Sequence, residues 1–551
     1  MVRKPPHILV TTPESLFLLL TSSKARKMLT SVRAVIVDEI HALARDKRGS
    51  HLALSLARLD KLCAQKPQRV GISATQRPMD AMAQFLVGKG QPCTIWDVGH
   101  FRDLQLGLNV PETALGAVCS NDQWEQVYNQ IVKLVENHRS TLIFVNTRRM
   151  AERVAFRLRD RLGEDRVASH HGSMAKERRL AAEEALKSGA LKAIVATASL
   201  ELGIDIGFID LVIQIGSPRS IAVFLQRVGR SGHAVGKKPH GELFALTWEE
   251  AVESLALIQA VRAGYLDRIL VPKAPLDILC QQLVAEISLG ECDEKELYEC
   301  FIQAGPYQDL SWHTYDACLE LLANGYAEGQ RDRAWIVRDK IHRKLRAKRG
   351  ANLAALNSGG AIPELGEYRV VLEDEKTVIG SVNEDFAIES MVGSIFLLGN
   401  GSWQILSIGA GRLLVRDAGN RAPTIPFWEG EAPGRTFELS QEVARLRGEL
   451  ANALGDSAHE GELDEKVVPL VYTKIVAGLG QEESLASWPL QQIVHYVAVQ
   501  KKALGMVPDL ANIVFERFFD EAGGMQLVIH SCYGMRVNRG FGLALRKRFC
   551  G

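Results

Sequence analysis

The sequence predicts an α/β protein that opens with doubly wound parallel-sheet domains, continues with a helical domain carrying a two-stranded wing, and ends in a mixed β-barrel and helical region. Three observations predict this. Residues 1 to about 250 alternate short Val- and Ile-rich runs with amphipathic helical patterns, the pattern of parallel strands covered by helices. From Thr247 the helical stretches follow one another and lead into a hairpin-like segment. From about residue 366 the chain turns to short strands.

The strand runs of the first part are HILVTT (7–12), AVIVDE (34–39), RVGISAT (69–75), TLIFVNT (141–147), KAIVATA (192–198), LVIQIGS (211–217) and ELFALT (242–247). Between them, Leu52, Leu56 and Leu59 recur at helical spacing, as do Met150, Val154, Leu158 and Leu162. A seam near 95–125, containing NVPET, divides two such domains. The first has about three strands where an ordinary nucleotide-binding domain has five or more, so it reads as incomplete.

The segment TWEE, with Thr247 as N-cap and Glu250 reaching back, opens the helical part. Helices are expected near 248–263, 275–288, 294–304 and 311–323, then a hairpin in YAEGQRDRAWIVRD. Farther on, YRVVL, TVIGSV, IFLLGNGSWQILSI and RLLVRD read as strands, with Asn400-Gly401 as a hairpin turn. Residues 440–520 read as helical, and MQLVIHS returns to strand. The expected boundaries are 1–98, 99–250, 251–365 and 366–551.

A net charge of +1 excludes sequence-blind adhesion to polyanions over the whole surface, so any nucleic-acid surface is a local patch. Nine scattered cysteines without a C-x-x-C pair suit reduced thiols in cytoplasm. No stretch reaches the roughly 20 apolar residues of a membrane helix.

Chemistry concentrates at strand ends. VIVDEIHAL puts Asp38, Glu39 and His41 at the tip of an apolar run, the edge where α/β sheets bind ligands. An Asp there suits Mg²⁺, and a neighbouring Glu suits orienting an attacking water. Alone, D-E-x-H is no better than an acidic loop. It is followed in order by GISAT, with Ser73 and Thr75, and by IVATASLELGIDIG, with Thr197, Glu201, Gly203 and Asp205. FLQRVGRSGH comes last, with Gln226, Arg227 and Arg230 on a helix; Gln226 and Arg230 share a face.

In this order DEIH, SAT, TASLELGID and QRVGRSGH resemble motifs II, III, V and VI of superfamily 2 helicases. VTTPES (10–15) resembles motif Ib and IFVNTRRMAERV (143–154) motif IV. IHRKLRAKRGANLAALNSGGAIPELGEY, IPFWEGEAPGRTFEL, ERFFDEAGGMQLVIHS and GLALRKRF narrow the resemblance to the Lhr (large helicase-related) family, over essentially the whole chain. It implies two RecA-like domains, a winged helix and a β-barrel-containing fourth domain. It also implies an ATP-dependent 3′-to-5′ translocase and helicase that closes on ATP and Mg²⁺ between the RecA domains, with the DEIH tip and the QRVGR helix facing one triphosphate. The implied nucleic acid is single-stranded DNA or an RNA–DNA hybrid; the implied state is a monomer, with no membrane association and no identified protein partner.

The catalytic roles then fall on Asp38, Glu39, His41, Gln226, Arg227 and Arg230, and ATP coupling on Ser73, Thr75, Gly203 and Asp205. Asp38 and Glu39 form the Mg²⁺ end. The chain departs from the pattern twice. It contains no G-x-x-x-x-G-K-[ST]; AQFLVGKGQ has Ala83 and Gly90 where Gly and a hydroxyl belong. Motif VI ends in His233 rather than Arg, so the arginine-finger role falls mainly on Arg230. The reading is a helicase piece shortened at both ends, with negligible ATPase of its own. The alternatives are a non-enzymatic nucleic-acid-binding fragment and a superfamily 2 RNA remodeller.

Candidate strand-binding residues are Thr11, Thr12, Arg148, Arg149, Thr197, Ile362 and Trp428. Thr11 and Thr12 precede a helix N-terminus. Thr147 is a cap for the helix bearing Arg148 and Arg149. Trp428, between Pro426 and Gly430, suits stacking on a base, and Ile362 in GGAIPE is the weaker second candidate. RDKIHRKLRAKR (338–349) carries seven Lys or Arg in twelve residues and reads as a phosphate-backbone contact.

Overall fold

The computed structural model describes residues 4–74, 77–88, 90–97, 104–201, 206–232, 238–325, 334–361, 367–374, 377–398, 401–409, 411–419, 421, 434–455, 473–474, 485–519 and 525–550. The expected hairpin residue Asn400 lies outside them. The chain forms two compact units: residues 1–99 with 268–364, and residues 100–267 with 365–551.

In the first unit, Ala34–Val37 pairs in parallel with Gln68–Gly71. HILVTT is not a strand: Ile8 and Val10 are exposed, and no neighbour supplies a hydrogen-bond ladder among the described residues. Helix Pro13–Thr21 starts there instead, with Thr12 as N-cap and Pro at its first position. The paired strands are covered on one face only; Val37 is buried while Ile36, Val70 and Ile72 are exposed. Helix Lys47–Leu62 begins at Asp46, whose carboxylate accepts from Arg48 N–H and Gly49 N–H. Gly49 is needed here, because a Cβ would lie 2.2 Å from the Leu43 carbonyl oxygen.

This helix shares one core with the winged helix: Phe17, Leu52 and Leu56 cluster with Leu279, Leu283, Phe301 and Tyr315. The winged-helix helices are Leu276–Ile287, Glu294–Phe301 and Trp312–Asn324, close to the expected spans. The wing lies farther downstream than expected. Ile336–Asp339 pairs antiparallel with Lys344–Ala347, which also meets Cys292–Asp293. Within its basic run the Arg338 side chain is buried and ion-paired, while Lys344 and Arg346 make exposed pairs. Arg338 pairs with Glu294, Asp316 and Glu320, Lys344 with Asp293, and Arg346 with Glu291.

His51 sits fully buried in this core, its ring 4.8 Å from Phe17, and neither ring nitrogen has a hydrogen-bond partner among the described residues. Burial lowers its pKa to about 4, against the pull of Glu14. The unfolded chain binds this proton at about 6.5, so stability is full above that pH and falls as pH drops toward 4. We expect the unit to lose about 2 kcal/mol between pH 7 and pH 5 from this residue. Urea titrations of wild type and His51→Phe check it: the variant's loss should be smaller by that amount, and equal losses would contradict it.

The second unit is built on a six-stranded, all-parallel sheet. Its spatial order is Gln105–Asn109, His240–Phe244, Leu211–Ile215, Thr141–Phe144, Ala193–Ala196 and Val167–His170. Both faces are buried. Trp124, Val127, Val154 and Leu158 cover one face. The other packs on Leu255, Leu446 and Ile493 from helices Trp248–Arg262, Phe437–Leu454 and Ser487–Leu504. The expected boundary at 250 thus falls inside a helix that belongs to this core.

A five-stranded mixed sheet follows, ordered Val378–Asn383, Glu367–Leu372, Arg412–Asp417, Gly401–Gly409 and Ile395–Leu398, with bulges in two pairings. Its edge strand is stitched to the loop after Val167–His170: Ala175 N–H donates to the Ile379 carbonyl and Ser381 N–H to that of Ser173. The stretch expected to stay helical to 520 ends in strand Val514–Phe519, paired with Met525–His530. Among the described residues no helix is long and apolar enough to cross a membrane.

Candidate nucleotide site and strand-binding edge

In the first unit, Asp38 leaves strand Ala34–Val37 exposed at its carboxyl end. Its Oδ1 accepts from Glu39 N–H at 2.9 Å. Glu39 holds φ 47°, a left-handed conformation that a residue with a side chain adopts only under local constraint. Here the constraint is two backbone bonds across the strand ends: Ile40 N–H donates to the Ile72 carbonyl, and Ile72 N–H to that of Val37. The turn brings a Glu39 carboxylate oxygen to 3.4 Å from His41 Nδ1.

His41 is buried and joins the DEIH tip to the following strand end. Its Nδ1 accepts from Ala74 N–H at 3.3 Å and lies 3.2 Å from Ser73 Oγ. Burial, then Arg45, pushes its pKa below the ordinary histidine value, against Asp38. A nitrogen that accepts a main-chain N–H carries no proton, so His41 is neutral and its approach to Glu39 is not an ion pair. Ser73 therefore sits where the sequence placed it, while Thr75 lies outside the described residues. Asp38 presents hard oxygen donors to solvent, a fit for a cation that keeps several waters. Thr12 caps its helix, accepting from Ser15 N–H at 3.3 Å, with Thr11 exposed beside it.

In the second unit, parallel pairing brings the ends of all strands to one edge. Thr147, Thr197 and Gly216 follow the three central strands. Thr147 caps helix Arg148–Leu162 through Met150 N–H. Arg148 is turned inward, to Ser173 Oγ and to Glu367 at 3.2 Å, and so ties the parallel sheet to the mixed one. Arg149 is exposed and lines a groove with Thr147, Met150 and Arg153. Arg153 stacks over the Trp124 ring, 4.7 Å from its centroid. Thr197, half-buried, makes no capping bond with its side chain.

Helix Ile221–Val228, capped by Ser220, carries Gln226 and Arg227 but ends at its C-cap Gly229, so Arg230 lies in the turn just past the helix rather than on it as expected. Arg227 is 5% exposed. Its Nε donates to Glu201 at 2.8 Å, its Nη1 to Gln214 Oε1 at 2.6 Å, and its guanidinium lies 5.0 Å from the Phe144 ring centroid. Arg230 Nε reaches the main-chain carbonyl of Glu201 at 3.1 Å. Both arginines thus converge on Glu201, and Arg227 is a buried anchor rather than a projecting finger. Gln226 is half-buried on the same helix. Gly203, Asp205, His233, Ile362 and Trp428 lie outside the described residues.

Two residues of this arrangement were missing from the expected site: Glu201, present in the motif but given no role, and Gln214. A signal for Gln214 existed, a single amide inside the otherwise apolar LVIQI, since a buried amide needs a partner.

Four family models match the chain in order. They are DEAD/DEAH box helicase at 1–82, helicase conserved C-terminal domain at 123–235, the winged helix domain of large helicase-related protein at 259–425, and DEAD/H associated at 507–551. A "Lhr helicase/ probable uracil glycosylase" of Mycolicibacterium smegmatis is 38% identical over 100% of this chain and 38% of its own length. An "ATP-dependent helicase Lhr-Core" of Methanocaldococcus jannaschii is 36% identical over 98% of this chain and 60% of its own. The solved structure of Mycobacterium smegmatis helicase Lhr bound to ssDNA and AMP-PNP superposes with a TM-score of 0.77 at 37% identity, covering 100% of this chain and 65% of that one. The chain spans less than two thirds of the length of these relatives. With helicase motifs at the strand ends of both units, a winged helix of the Lhr type and relatives matched from end to end of the chain, this polypeptide belongs to the Lhr family of superfamily 2 helicases.

Proposed function

We propose that this chain provides part of an ATP-dependent 3′-to-5′ helicase that tracks single-stranded DNA or the strand of an RNA–DNA hybrid. The observation that carries the reading is the His41 link: it locks the two-carboxylate tip to Ser73 and Ala74, so a change at one loop moves the other. The ssDNA and AMP-PNP bound in the solved mycobacterial Lhr structure support the same ligand classes.

In this reading Asp38 holds the metal and Glu39 orients the attacking water. Mg²⁺, when bound with ATP, neutralises charge on the phosphates. His41 and Ser73 pass the state of that loop to the adjoining strand end, and Thr75, Gly203 and Asp205 complete the coupling set. Gln226 and Arg230 act on the nucleotide, while Arg227 sets the position of the helix that bears Gln226 through Glu201 and Gln214. Thr11, Thr12, Arg149 and Thr197 contact the strand's phosphates, and Trp428, with Ile362, stacks on bases. Arg148, committed to Ser173 and Glu367, supports that surface from behind.

The 551 residues contain no G-x-x-x-x-G-K-[ST]. A polypeptide of only these residues is expected to release phosphate from ATP at background rate, with or without DNA. With a lysine-loop segment joined in front of residue 1, strand-stimulated hydrolysis should appear and fall at least about 100-fold in Glu39→Gln. Stimulated release from the unextended chain, abolished by Glu39→Gln, would overturn the first expectation; no stimulation in the extended one would overturn the helicase reading.

A further inference from the structure

Helix Arg148–Leu162 leaves the carboxyl edge of the six-stranded sheet directly after Thr147. It carries six arginines, and they fall into two sets. Arg148 reaches Ser173 Oγ and pairs with Glu367, Arg159 is buried, and Arg161 pairs with Glu125. Arg149, Arg153 and Arg157 make no ion pair among the described residues, in a chain whose net charge is only +1. These three stand at i, i+4 and i+8 and so share one face of the helix. Arg149 and Arg157 are exposed and Arg153 is half-buried.

Arg153 is held in place. Its guanidinium lies over the Trp124 ring, 4.7 Å from the centroid, and Trp124 stacks on Tyr128 with centroids 5.3 Å apart. A guanidinium resting by its face on a ring keeps its N–H edge for an acceptor and has less rotamer freedom left to lose on binding. Arg149 and Arg153 line one open groove with Thr147 and Met150. The groove therefore runs from the strand-end loop onto the helix, and Arg157 stands one turn beyond it.

We propose that Arg149, Arg153 and Arg157 form a phosphate track along which a single nucleic-acid strand leaves the carboxyl edge of the sheet over the outer face of helix Arg148–Leu162. The inference rests on the reading of that edge as strand-binding and adds the path beyond it, with Arg153 and Arg157 as new contacts. Neighbouring arginines are about 6 Å apart along the helix axis, a repeat that suits the successive phosphates of an extended strand better than one small anion. Continuity of the groove with Thr147 and the helix N-terminus favours nucleic acid over an acidic protein segment.

The test titrates a labelled oligothymidine of about 16 nucleotides with the 551-residue chain at several salt concentrations. Arg157→Gln, an exposed change, should weaken binding several-fold and lower the slope of log affinity against log salt by about 0.7; Arg153→Gln with Arg157→Gln should lower it by about 1.4. Arg161→Gln removes the same charge from the same helix, but from a paired residue, and should bind like wild type. Thermal unfolding shows that each variant is folded. If Arg157→Gln keeps wild-type affinity and slope, or Arg161→Gln loses as much as Arg157→Gln, the track is overturned; wild-type binding that still falls in Arg149→Glu then leaves the edge reading standing. No binding by wild type defeats both. A polyglutamate peptide that binds wild type more tightly than the oligothymidine does, and is lost in Arg157→Gln, would give the track to an acidic protein and overturn the proposal.

Discussion

Replacing Arg58 with alanine is expected to lower the stability of the first unit by about 3–5 kcal/mol, a large share of what a domain ordinarily has. Arg58 is 1% exposed. It donates from Nε to Glu286 at 2.7 Å and from Nη1 to Gln282 at 2.8 Å, with Thr21 at 3.4 Å. Burial pulls the arginine below its ordinary pKa, against Glu286; burial pushes Glu286 up, but Arg58 and Arg26 outweigh it and hold the carboxyl down. The two directions disagree on whether the pair gains from its burial. Geometry decides, because a guanidinium stays charged at any working pH and this one has a carboxylate oxygen and an amide oxygen in line. Removing it strands a nearly buried carboxylate with Arg26 alone at 3.2 Å. The double variant Arg58→Met with Glu286→Leu should recover much of the loss, since an apolar pair of similar volume avoids the desolvation cost. Urea unfolding of the three proteins measures this; a loss below about 1 kcal/mol for Arg58→Ala would contradict it.

Arg227→Ala is the second large effect, and it separates an anchor from a finger. Losing the guanidinium leaves Glu201 and Gln214 without their main partner in a buried setting, for a cost of about 3–5 kcal/mol in the second unit. Arg227→Lys should not rescue it, because one ammonium cannot make the fork to Glu201 and also reach Gln214. Thermal unfolding reads the result. If both variants unfold like wild type while only catalysis changes in a competent protein, Arg227 projects toward a ligand and the buried assignment is wrong. Arg230→Ala removes donors to the main-chain carbonyl of Glu201 rather than the shared partner of a buried carboxylate and Gln214, and is expected to cost less stability than Arg227→Ala.

What could be read from the residues depended on how local the deciding interaction was. The strands TLIF, AIVA and LVIQI announce themselves because parallel strands covered on both faces must be apolar throughout. Strands Gln105–Asn109 and Val167–His170 do not, being interrupted by polar side chains or glycine. At Gly107 a Cβ would sit 2.0 Å from a Glu242 carboxylate oxygen, so a larger residue there would have to displace that side chain. HILVTT misled in the opposite direction: its composition is that of a strand, but a strand exists only where a neighbour pairs with it.

The site divides the same way. Asp38, Glu39, His41 and Ser73 lie within two strand-end motifs, and their joining follows from parallel pairing of those strands. The burial of Arg227 depends on Glu201 and Gln214, which reach it only through the fold of the parallel sheet. In the basic run 338–349, expected to contact phosphates, the partners of Arg338, Lys344 and Arg346 come from Glu291, Asp293, Glu294, Asp316 and Glu320 on other elements, which the run itself does not reveal.

The central claim is that the carboxyl edge of the six-stranded sheet holds one nucleic-acid strand by its phosphates. Fluorescence anisotropy of a labelled single strand titrated with the 551-residue chain tests it most directly. Binding should be tighter to the single strand than to a blunt duplex, weaken linearly in log affinity with log salt, and fall several-fold in Arg149→Glu but not in Glu39→Gln. No single-strand binding at low salt, or equal affinity for blunt duplex, would contradict the claim.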